Sequence, residues 1–180
     1  MLENDIAKVL ISEEEIQQRV AELGTQLSAD YEGKNPFLIA VLKGAYVFLA
    51  DICCHLGVPH EVHFMAISSY SGRATQSSGV VRILMDLPAS PEGRDVLIVE
   101  DIVDSGRTLD YILRNMNTRN PSSVRVCTLL SKPSRREIEV PLDYVGFEIP
   151  DEFVLGYGLD FDEHYRNLRF IGVLKPELYE

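Results

Sequence analysis

Short apolar runs alternate with helical patterns through the middle of the chain, and this alternation constrains the fold more than any other feature. Residues 37–42 and 95–100 read FLIAVL and DVLIVE, and both are typical of short strands buried on both faces. Residues 45–56 follow the first run with helical spacing, and residues 108–119 follow the second. Strands that alternate with helices predict an α/β fold with a central, mostly parallel sheet flanked by helices.

The flanking segments add one further helix and several short strands. Ser12 and Glu15 have the spacing of a capping box, which predicts a helix from there to residues 31–33. Further strands are predicted at residues 61–68, 80–87, 124–130, 143–149, 154–159 and 170–174, with a short helical turn at 160–168. Because no repeat or linker interrupts the 180 residues, we expect a single domain over residues 1–180.

Residues 69–79 differ in kind from their surroundings. They read SYSGRATQSSG, are small and polar, and separate two strand-like runs. A plain hairpin needs fewer residues, so a mobile loop that closes over an active site is the favoured interpretation. The alternative is a surface loop with no part in catalysis.

The net charge of -11 argues against nucleic acid or an anionic membrane as a partner. The N-terminus lacks the pattern of a signal peptide, and no apolar run approaches the length of a membrane span. Cys53, Cys54 and Cys127 give no disulfide framework, because their number is odd and two are adjacent. Buried or half-buried free thiols are expected, and these favour a cytoplasmic location.

Residues 96–109, VLIVEDIVDSGRTL, carry the densest set of functional groups. Glu100 and Asp101 end the apolar run at the edge where open parallel sheets bind ligands. The polar residues that lead into the next helix are Asp104, Ser105, Gly106, Arg107 and Thr108. A glycine turn, two hydroxyls and the N–H groups at a helix start suit a monophosphate, whereas the acids suit ribose hydroxyls or a divalent cation. The segment predicts a sugar-phosphate site, and the alternative is a capped helix start with solvated acids.

Other nucleotide-binding motifs fit less well. The pattern G-x-x-x-x-G-K-[ST] is absent from the chain. Gly156-Tyr157-Gly158 matches half of a dinucleotide fingerprint, but the third glycine is missing and no helical pattern follows directly.

Five motifs in order make the chain resemble the type I phosphoribosyltransferase family, and within it the hypoxanthine-guanine branch. The motifs are Leu42-Lys43-Gly44, Ser69-Tyr70, VEDIVDSGRTL, Leu130-Ser131-Lys132, and the stretch VGFEIPD of residues 145–151 running on to Gly156-Tyr157 and Asp160. The resemblance covers residues 37–175. It implies the family's core sheet with a small hood formed by N- and C-terminal segments.

The resemblance also implies an activity in purine salvage. Phosphoribosyl diphosphate would donate its phosphoribosyl group to hypoxanthine or guanine, giving IMP or GMP and pyrophosphate. Such a transfer passes through an oxocarbenium-like transition state, as glycoside chemistry does. The family assembles into homodimers and homotetramers, so we expect one of these. Whether hypoxanthine or guanine is preferred stays open.

The family's site residues fall on matching positions of this chain. Glu100 and Asp101 match the acids at the ribose hydroxyls, and Asp104 matches the general base at purine N7. The positions that match the ribose-phosphate cradle are Ser105, Gly106, Arg107 and Thr108, although many relatives have lysine in place of Arg107. Those that match the purine site are Lys132, which donates to the 6-oxo group, Phe153, which stacks on the ring, and Val154, which offers backbone groups.

The diphosphate and its metal have their own matching positions. Those of the diphosphate site are Leu42, Lys43, Gly44, Ser69, Tyr70 and Arg166, and the family often has a cis peptide between the first two. The expected cofactor is Mg²⁺, with Glu100, Asp101 and Asp160 as its protein ligands. A divalent cation would also offset the repulsion between these acids and the diphosphate.

Each assignment has a simpler structural alternative. The alternatives are a helix cap for Asp104, a loop cation for Lys43, a surface lysine for Lys132, core packing for Phe153 and a surface ion pair for Arg166. Two alternative functions are a regulatory protein that binds RNA with the same pocket and a phosphoribosyltransferase for another base such as xanthine. The acidic charge and the absence of a basic, aromatic-studded patch argue against RNA.

Overall fold

A computed structural model describes residues 2–69 and 81–178, which form two β-sheets and three α-helices. The helices are α1 (Glu13–Asp30), α2 (Tyr46–His55) and α3 (Arg107–Asn117). The strands are β1 (Ile6–Ile11), β2 (Phe37–Leu42), β3 (Glu61–Ser69), β4 (Val81–Met85), β5 (Asp95–Val103), β6 (Ser123–Ser131), β7 (Tyr144–Glu148), β8 (Val154–Leu155) and β9 (Ile171–Leu174). None of the helices in these residues has the length and hydropathy needed to cross a membrane.

The larger sheet has six strands in the order β4-β3-β2-β5-β6-β7. Its four inner pairings, from β3 through β7, are parallel, and only the β3–β4 pairing is antiparallel. The helices cover both faces, with α1 and α2 on one and α3 on the other. The predicted α/β fold with a mostly parallel central sheet is therefore confirmed.

Strand β2 shows why the apolar runs are unbroken. Leu38 and Ala40 pack in the core under α1 and α2, whereas Phe37, Ile39 and Val41 pack in the core under α3. Since both faces of the strand are buried, every position is apolar. Each large side chain buried in this way contributes roughly 1.5–3 kcal/mol.

Helix α1 begins as its sequence predicts. The Glu15 backbone N–H donates to Ser12 Oγ at 3.2 Å, and the Ser12 N–H donates to Glu15 Oε2 at 2.8 Å. The buried stripe of the helix comprises Ile16, Val20, Leu23, Gly24 and Leu27. The capping box thus places the start of the helix, and the stripe fixes the face that packs on the sheet.

The second sheet joins the two ends of the described chain. Strand β9 pairs antiparallel with β1 on one side and with β8 on the other. Ile6 lies opposite Leu174, and the Lys175 N–H donates to Asp5 O at 3.0 Å. This is the small hood of N- and C-terminal segments that the family resemblance implies, although β1 itself carries no clear strand pattern.

Two sequence predictions in the C-terminal part are wrong. The strand predicted at 154–159 stops at Leu155, because Gly156, Tyr157 and Gly158 have φ values of 96°, 50° and 100°. The helical turn predicted at 160–168 is absent, and the segment instead forms turns with left-handed residues at 162, 163 and 165. Positive φ values are incompatible with both a right-handed helix and a regular strand.

Two further predictions concern the loop at residues 69–79 and the three cysteines. The loop predicted at 69–79 begins at the last residue of β3, and residues 70–79 lie outside the described part of the chain. The three cysteines are free, as expected, but Cys54 is exposed where a buried or half-buried thiol was predicted. Its position near the end of α2, on the side turned away from the sheet, accounts for the exposure.

Candidate active site

The carboxyl ends of β2, β5 and β6 meet at one edge of the larger sheet. Parallel registers place Ala40 beside Val99 and Val103 beside Ser131. Since all three strands run in the same direction, Lys43, Asp104 and Lys132 follow at that edge, and the Lys132 N–H donates to Val103 O at 3.0 Å. Residues 89 positions apart in the chain are thereby brought to the location where open α/β sheets bind ligands.

A cavity of about 410 Å³ opens at this edge. The predicted site residues that line it are Leu42, Lys43, Gly44, Glu100, Asp101, Asp104, Ser105, Gly106, Thr108 and Asp160. Its remaining lining comes from Val41, Ile67, Ile102, Val103 and Leu109. Predicted residues within the described ranges that do not line it are Arg107, Lys132, Phe153, Val154 and Arg166. Tyr70 lies outside the described residues, and the side chain of Ser69 is not described.

The segment from Ser105 to Thr108 forms a turn that leads directly into α3. Gly106 has a φ of 85°, and a Cβ at this position would lie 2.4 Å from Ile138 O, so only glycine fits. Ser105 Oγ accepts a hydrogen bond from the Arg107 N–H at 3.4 Å. The turn therefore places the start of α3, with Thr108, against the cavity, an arrangement that suits a phosphate.

The side chain of Arg107 lies away from this cradle. Its Nε donates to Glu137 Oε2 at 2.7 Å, and its Nη2 also contacts that carboxylate. The predicted ribose-phosphate contact of Arg107 therefore stays a prediction, for which only its backbone at the start of α3 is well placed. The guanidinium instead ties the helix to the segment that carries Ile138, whose N–H donates to Ser105 O at 3.0 Å.

Glu100 and Asp101 lie within β5, because the strand continues three residues beyond the predicted end and stops at Val103. Glu100 is only 6% exposed, which rules out a solvated loop acid. Burial, and secondarily the neighbouring charge of Asp101, raises the pKa of Glu100 well above its usual value. Burial also raises the pKa of Asp101 to about 6, against the opposing effect of the Ile102 N–H that donates to its carboxylate at 2.7 Å. A buried acid beside a half-buried one favours a positively charged partner in the cavity.

Asp104 projects from the turn between β5 and α3. Its Oδ1 forms an ion pair with Arg135 Nε at 3.2 Å, and 42% of its side chain is exposed. The N-cap position of α3 belongs to Gly106 and has no side-chain cap bond. The alternative of a helix-capping aspartate is therefore wrong, and the carboxylate is available to a ligand.

Three of the predicted diphosphate residues, Leu42, Lys43 and Gly44, lie at the end of β2 and in the loop after it. The Leu42–Lys43 peptide is cis. A Cβ on Gly44 would lie 1.5 Å from Asp101 Oδ2, so the loop backbone packs directly against that acid. Lys43 Nζ donates to both carboxylate oxygens of Glu163 at 3.0 Å.

Arg166 reaches the same region from the hood. Its Nη1 donates to Gly158 O at 2.7 Å, and its Nη2 pairs with Asp160 Oδ1 at 2.9 Å and Glu163 Oε2 at 3.2 Å. The alternative of a simple surface ion pair does not describe Arg166, because only 17% of its side chain is exposed. Asp160 links this network to the cavity that it lines.

The three predicted purine residues do not line the cavity, but the Lys132 N–H donates to the carbonyl of Val103, which does. Lys132 is 7% exposed, with its Nζ 4.0 Å from Asp151 Oδ1, so it is not an ordinary surface lysine. Phe153 is 39% exposed, packs edge-on against Phe161 at 5.6 Å and is therefore not a core residue. Val154 is buried in β8.

Whether this cavity could hold a metal ion depends on the oxygen ligands that a bound substrate would supply. Among the residues at 2–69 and 81–178, no group of three or more histidine, cysteine or acidic side chains is arranged to hold a metal. Asp101 and Asp160 nevertheless line one cavity, with Glu100 beside them. Mg²⁺ is usually held by one or two carboxylates together with substrate phosphates. The oxygen donors present therefore fit a cation shared with a phosphorylated ligand.

The sequence analysis missed three charged residues next to the site. Arg135 pairs with both Asp104 and Asp151, and Glu163 joins Lys43 to Arg166. Asp151 belongs to the VGFEIPD motif, which could have drawn attention to it. Arg135 and Glu163 have no comparable signal, because their roles arise from contacts between distant segments.

Fold and site together define the class of protein. Residues 11–162 match the model of the phosphoribosyl transferase domain family, and this match spans most of the chain. The chain belongs to the phosphoribosyl transferase domain family.

Individual relatives show which members of this family the chain is similar to. The hypoxanthine-guanine phosphoribosyltransferase of Bacillus subtilis is 54% identical over 180 residues, which cover 100% of this chain and 99% of that protein. The bifunctional protein TilS/HprT of Listeria monocytogenes is 54% identical over 99% of this chain, but the chain spans only 27% of its length. A solved hypoxanthine phosphoribosyltransferase from Staphylococcus aureus superposes with a TM-score of 0.95 at 46% identity, over 99% of this chain and 97% of that one. The resemblance seen in the motifs is thus confirmed over the whole chain.

Proposed function

We propose that this chain is a purine salvage enzyme that transfers the phosphoribosyl group from phosphoribosyl diphosphate to hypoxanthine or guanine. The observation that carries the proposal is a cavity in which the start of α3, the acids Glu100 and Asp101, Asp104 and Lys43 converge. Relatives that carry these activities in their names match the chain from end to end. The products would be IMP or GMP and pyrophosphate.

The cradle and the acids would bind the ribose phosphate. The N–H groups at the start of α3, with the side chains of Ser105 and Thr108, would hold the phosphate, and Gly106 would allow its close approach. Glu100 and Asp101 would accept hydrogen bonds from the ribose hydroxyls. Their negative charge would also stabilise the positive sugar that develops as the glycosidic bond breaks.

Asp104 and the residues after β6 would handle the purine. As a purine nitrogen attacks the anomeric carbon, Asp104 would accept the proton from N7. Lys132 would donate to the 6-oxo group, Phe153 would stack on the ring, and Val154 would offer backbone groups to its edge. A buried lysine needs a hydrogen-bond acceptor. The 6-amino group of adenine is a donor, so the site would discriminate against adenine.

The diphosphate would lie between the loop after β2 and the hood. Leu42, Lys43 and Gly44 would contact it from one side and Arg166 from the other, while residues 69–79, including Ser69 and Tyr70, would exclude water from the site. Glu100, Asp101 and Asp160 would hold Mg²⁺ jointly with the substrate. The ion would neutralise charge on the leaving diphosphate.

The proposal extends to the domain organisation, assembly, partners and location of the chain. We propose a single functional domain over residues 1–180 and assembly into a homodimer or homotetramer. The substrates are small molecules, and neither nucleic acid nor a membrane is proposed as a partner. The three free cysteines support a cytoplasmic location.

A base-by-base turnover assay tests the function. The full chain is mixed with Mg²⁺ and phosphoribosyl diphosphate, each purine or pyrimidine base is added in turn, and nucleotide formation is followed. Turnover is expected with hypoxanthine or guanine and not with adenine. Turnover with xanthine alone would transfer the assignment to that base, and no turnover with any base would refute it.

A further inference from the structure

The carboxylate of Glu163 forms ion pairs with both cations of the proposed diphosphate site. Lys43 Nζ lies 3.0 Å from each of its oxygens, and Arg166 Nη2 lies 3.2 Å from Oε2. Two cations that converge on one carboxylate form the arrangement that would otherwise receive a phosphate group. Glu163 therefore stands where an anionic ligand would compete for the same donors.

The backbone holds Glu163 in this position. Residues 162 and 163 have φ values of 49° and 64°, which are uncommon for non-glycine residues. The Glu163 N–H donates to Asp160 Oδ2 at 2.9 Å, and Phe161 and His164 bond to each other across the turn. This turn therefore directs the carboxylate at Lys43, which lies 120 positions earlier in the chain.

The two cations depend on Glu163 to different degrees. Arg166 is also held by Gly158 O at 2.7 Å and by Asp160 Oδ1 at 2.9 Å, so it would keep its position without Glu163. Within the described part of the chain, the hydrogen bonds of the Lys43 ammonium go to Glu163, and 64% of the lysine side chain is exposed. Loss of the carboxylate would thus free both cations without dismantling the site.

We propose that Glu163 is an internal counter-anion that competes with the diphosphate group for Lys43 and Arg166. The inference rests on the proposed function and deepens it, because it names a residue that weakens diphosphate affinity. In the free protein the carboxylate neutralises the two cations. The incoming diphosphate displaces it, and it returns as pyrophosphate leaves, which favours release of the product.

The test compares two charge-neutralising variants of adjacent residues. Glu163→Gln removes the competing charge and keeps the side-chain size. Asp162→Asn removes the same charge one position away, at an exposed residue that takes part in neither ion pair. Binding of inorganic pyrophosphate with Mg²⁺ is measured by calorimetry for both variants and the original chain. The KM values for phosphoribosyl diphosphate and for hypoxanthine are measured separately.

Glu163→Gln is expected to bind pyrophosphate about three- to tenfold more tightly, the factor expected when one exposed and one partly buried ion pair no longer compete. The KM for phosphoribosyl diphosphate should fall similarly, while the KM for hypoxanthine and the behaviour of Asp162→Asn stay near those of the original chain. Unchanged or weaker pyrophosphate binding in Glu163→Gln, or an equal gain in Asp162→Asn, would overturn the inference. Absence of turnover in the unaltered chain would instead refute the proposed function, so the two failures are distinguishable.

Discussion

Asp104 is the residue on which the proposed chemistry depends most directly. It leaves the sheet edge just after β5, and its ion pair with Arg135 places a cation against a carboxylate that is meant to accept a proton. Arg135 also contacts Asp151 Oδ2 at 3.4 Å and is more than half exposed, so it can exchange one acid for the other. The proposed base is thus held by an ion pair in the free protein without being enclosed.

Replacing Asp104 with asparagine tests its role as the base. The amide keeps the shape of the side chain but cannot accept the N7 proton, so kcat should fall about 10²- to 10⁴-fold. The KM for phosphoribosyl diphosphate should change little in steady-state assays. Asp110→Asn is the matched control, because Asp110 lies in the first turn of α3, the helix that follows Asp104, and pairs with Arg114. Equal turnover of the Asp104 variant and the original chain would remove Asp104 from this role.

At the scale of elements, a turn of the hood supports the loop after β2. Gly158 packs so tightly on that loop that a Cβ would lie 2.2 Å from Gly44 O. The adjacent Tyr157 donates from its hydroxyl to Asp51 on α2 at 2.5 Å, which anchors the turn to the helix that follows the loop. The Gly156-Tyr157-Gly158 motif is therefore a packing element beside the loop of the proposed diphosphate site and not part of a dinucleotide fingerprint.

The substitution Gly158→Ala is expected to impair the diphosphate site specifically. The new Cβ would displace the Gly44 carbonyl and with it Lys43, so the KM for phosphoribosyl diphosphate should rise by about tenfold, as misplacement of a positioning loop does. Gly33→Ala is the control, since its φ of 72° imposes a similar backbone penalty of roughly 1–2 kcal/mol with nothing within 4 Å. Both variants should melt at lower temperature. An equal KM in the two variants would contradict the proposed packing role.

At the scale of the whole molecule, the chain is acidic, and the cations of the proposed site lie beside carboxylates. Lys43 and Arg166 contact Glu163, and Lys132 lies near Asp151. Glu100 has no ion pair among the described residues, and Arg166 offsets the charge of the half-buried Asp101 less than burial penalises it. The metal-free protein therefore has a site whose charge opposes its own folding.

This imbalance predicts that stability depends on pH in an unusual direction. The folded state holds protons on Glu100 and Asp101 above the pKa values of the unfolded chain, and the folded pKa of Asp101 is about 6 against an ordinary 3.8. Between these values the unfolded chain binds fewer protons, so the free energy of unfolding falls as the pH rises. The contribution is complete below the unfolded pKa and is lost as the pH passes the folded one.

Glu100→Gln removes one of the two acids and should therefore raise the melting temperature of the metal-free protein near neutral and higher pH. The gain should shrink toward about pH 4, where the carboxyl is protonated in both states. Thermal melts in a chelating buffer across this range measure it, with the exposed Glu139→Gln as the control. A gain that is independent of pH would contradict burial of the charge as the cause.

Much of the fold could be predicted because its signals are local. The run at residues 37–42 is buried on both faces and therefore apolar throughout, and the capping box at Ser12 specifies its own hydrogen bonds. Strand β1 escaped prediction because half of its residues are exposed and its partner β9 lies at the other end of the chain. The turns at 156–165 escaped it because left-handed residues other than glycine leave no mark in a hydrophobic pattern.

The sequence by itself determined the alternation of strands and helices through the middle of the chain, the helix start at Ser105 to Thr108 and the family motifs, since each depends on residues close together in the chain. Only the tertiary structure decided which charges meet. It buried Glu100, turned Arg107 toward Glu137, set Arg135 against Asp104 and brought Glu163 to Lys43. The physical reason is that electrostatic energy depends on distance in space and on burial, and neither can be read from separation along the chain.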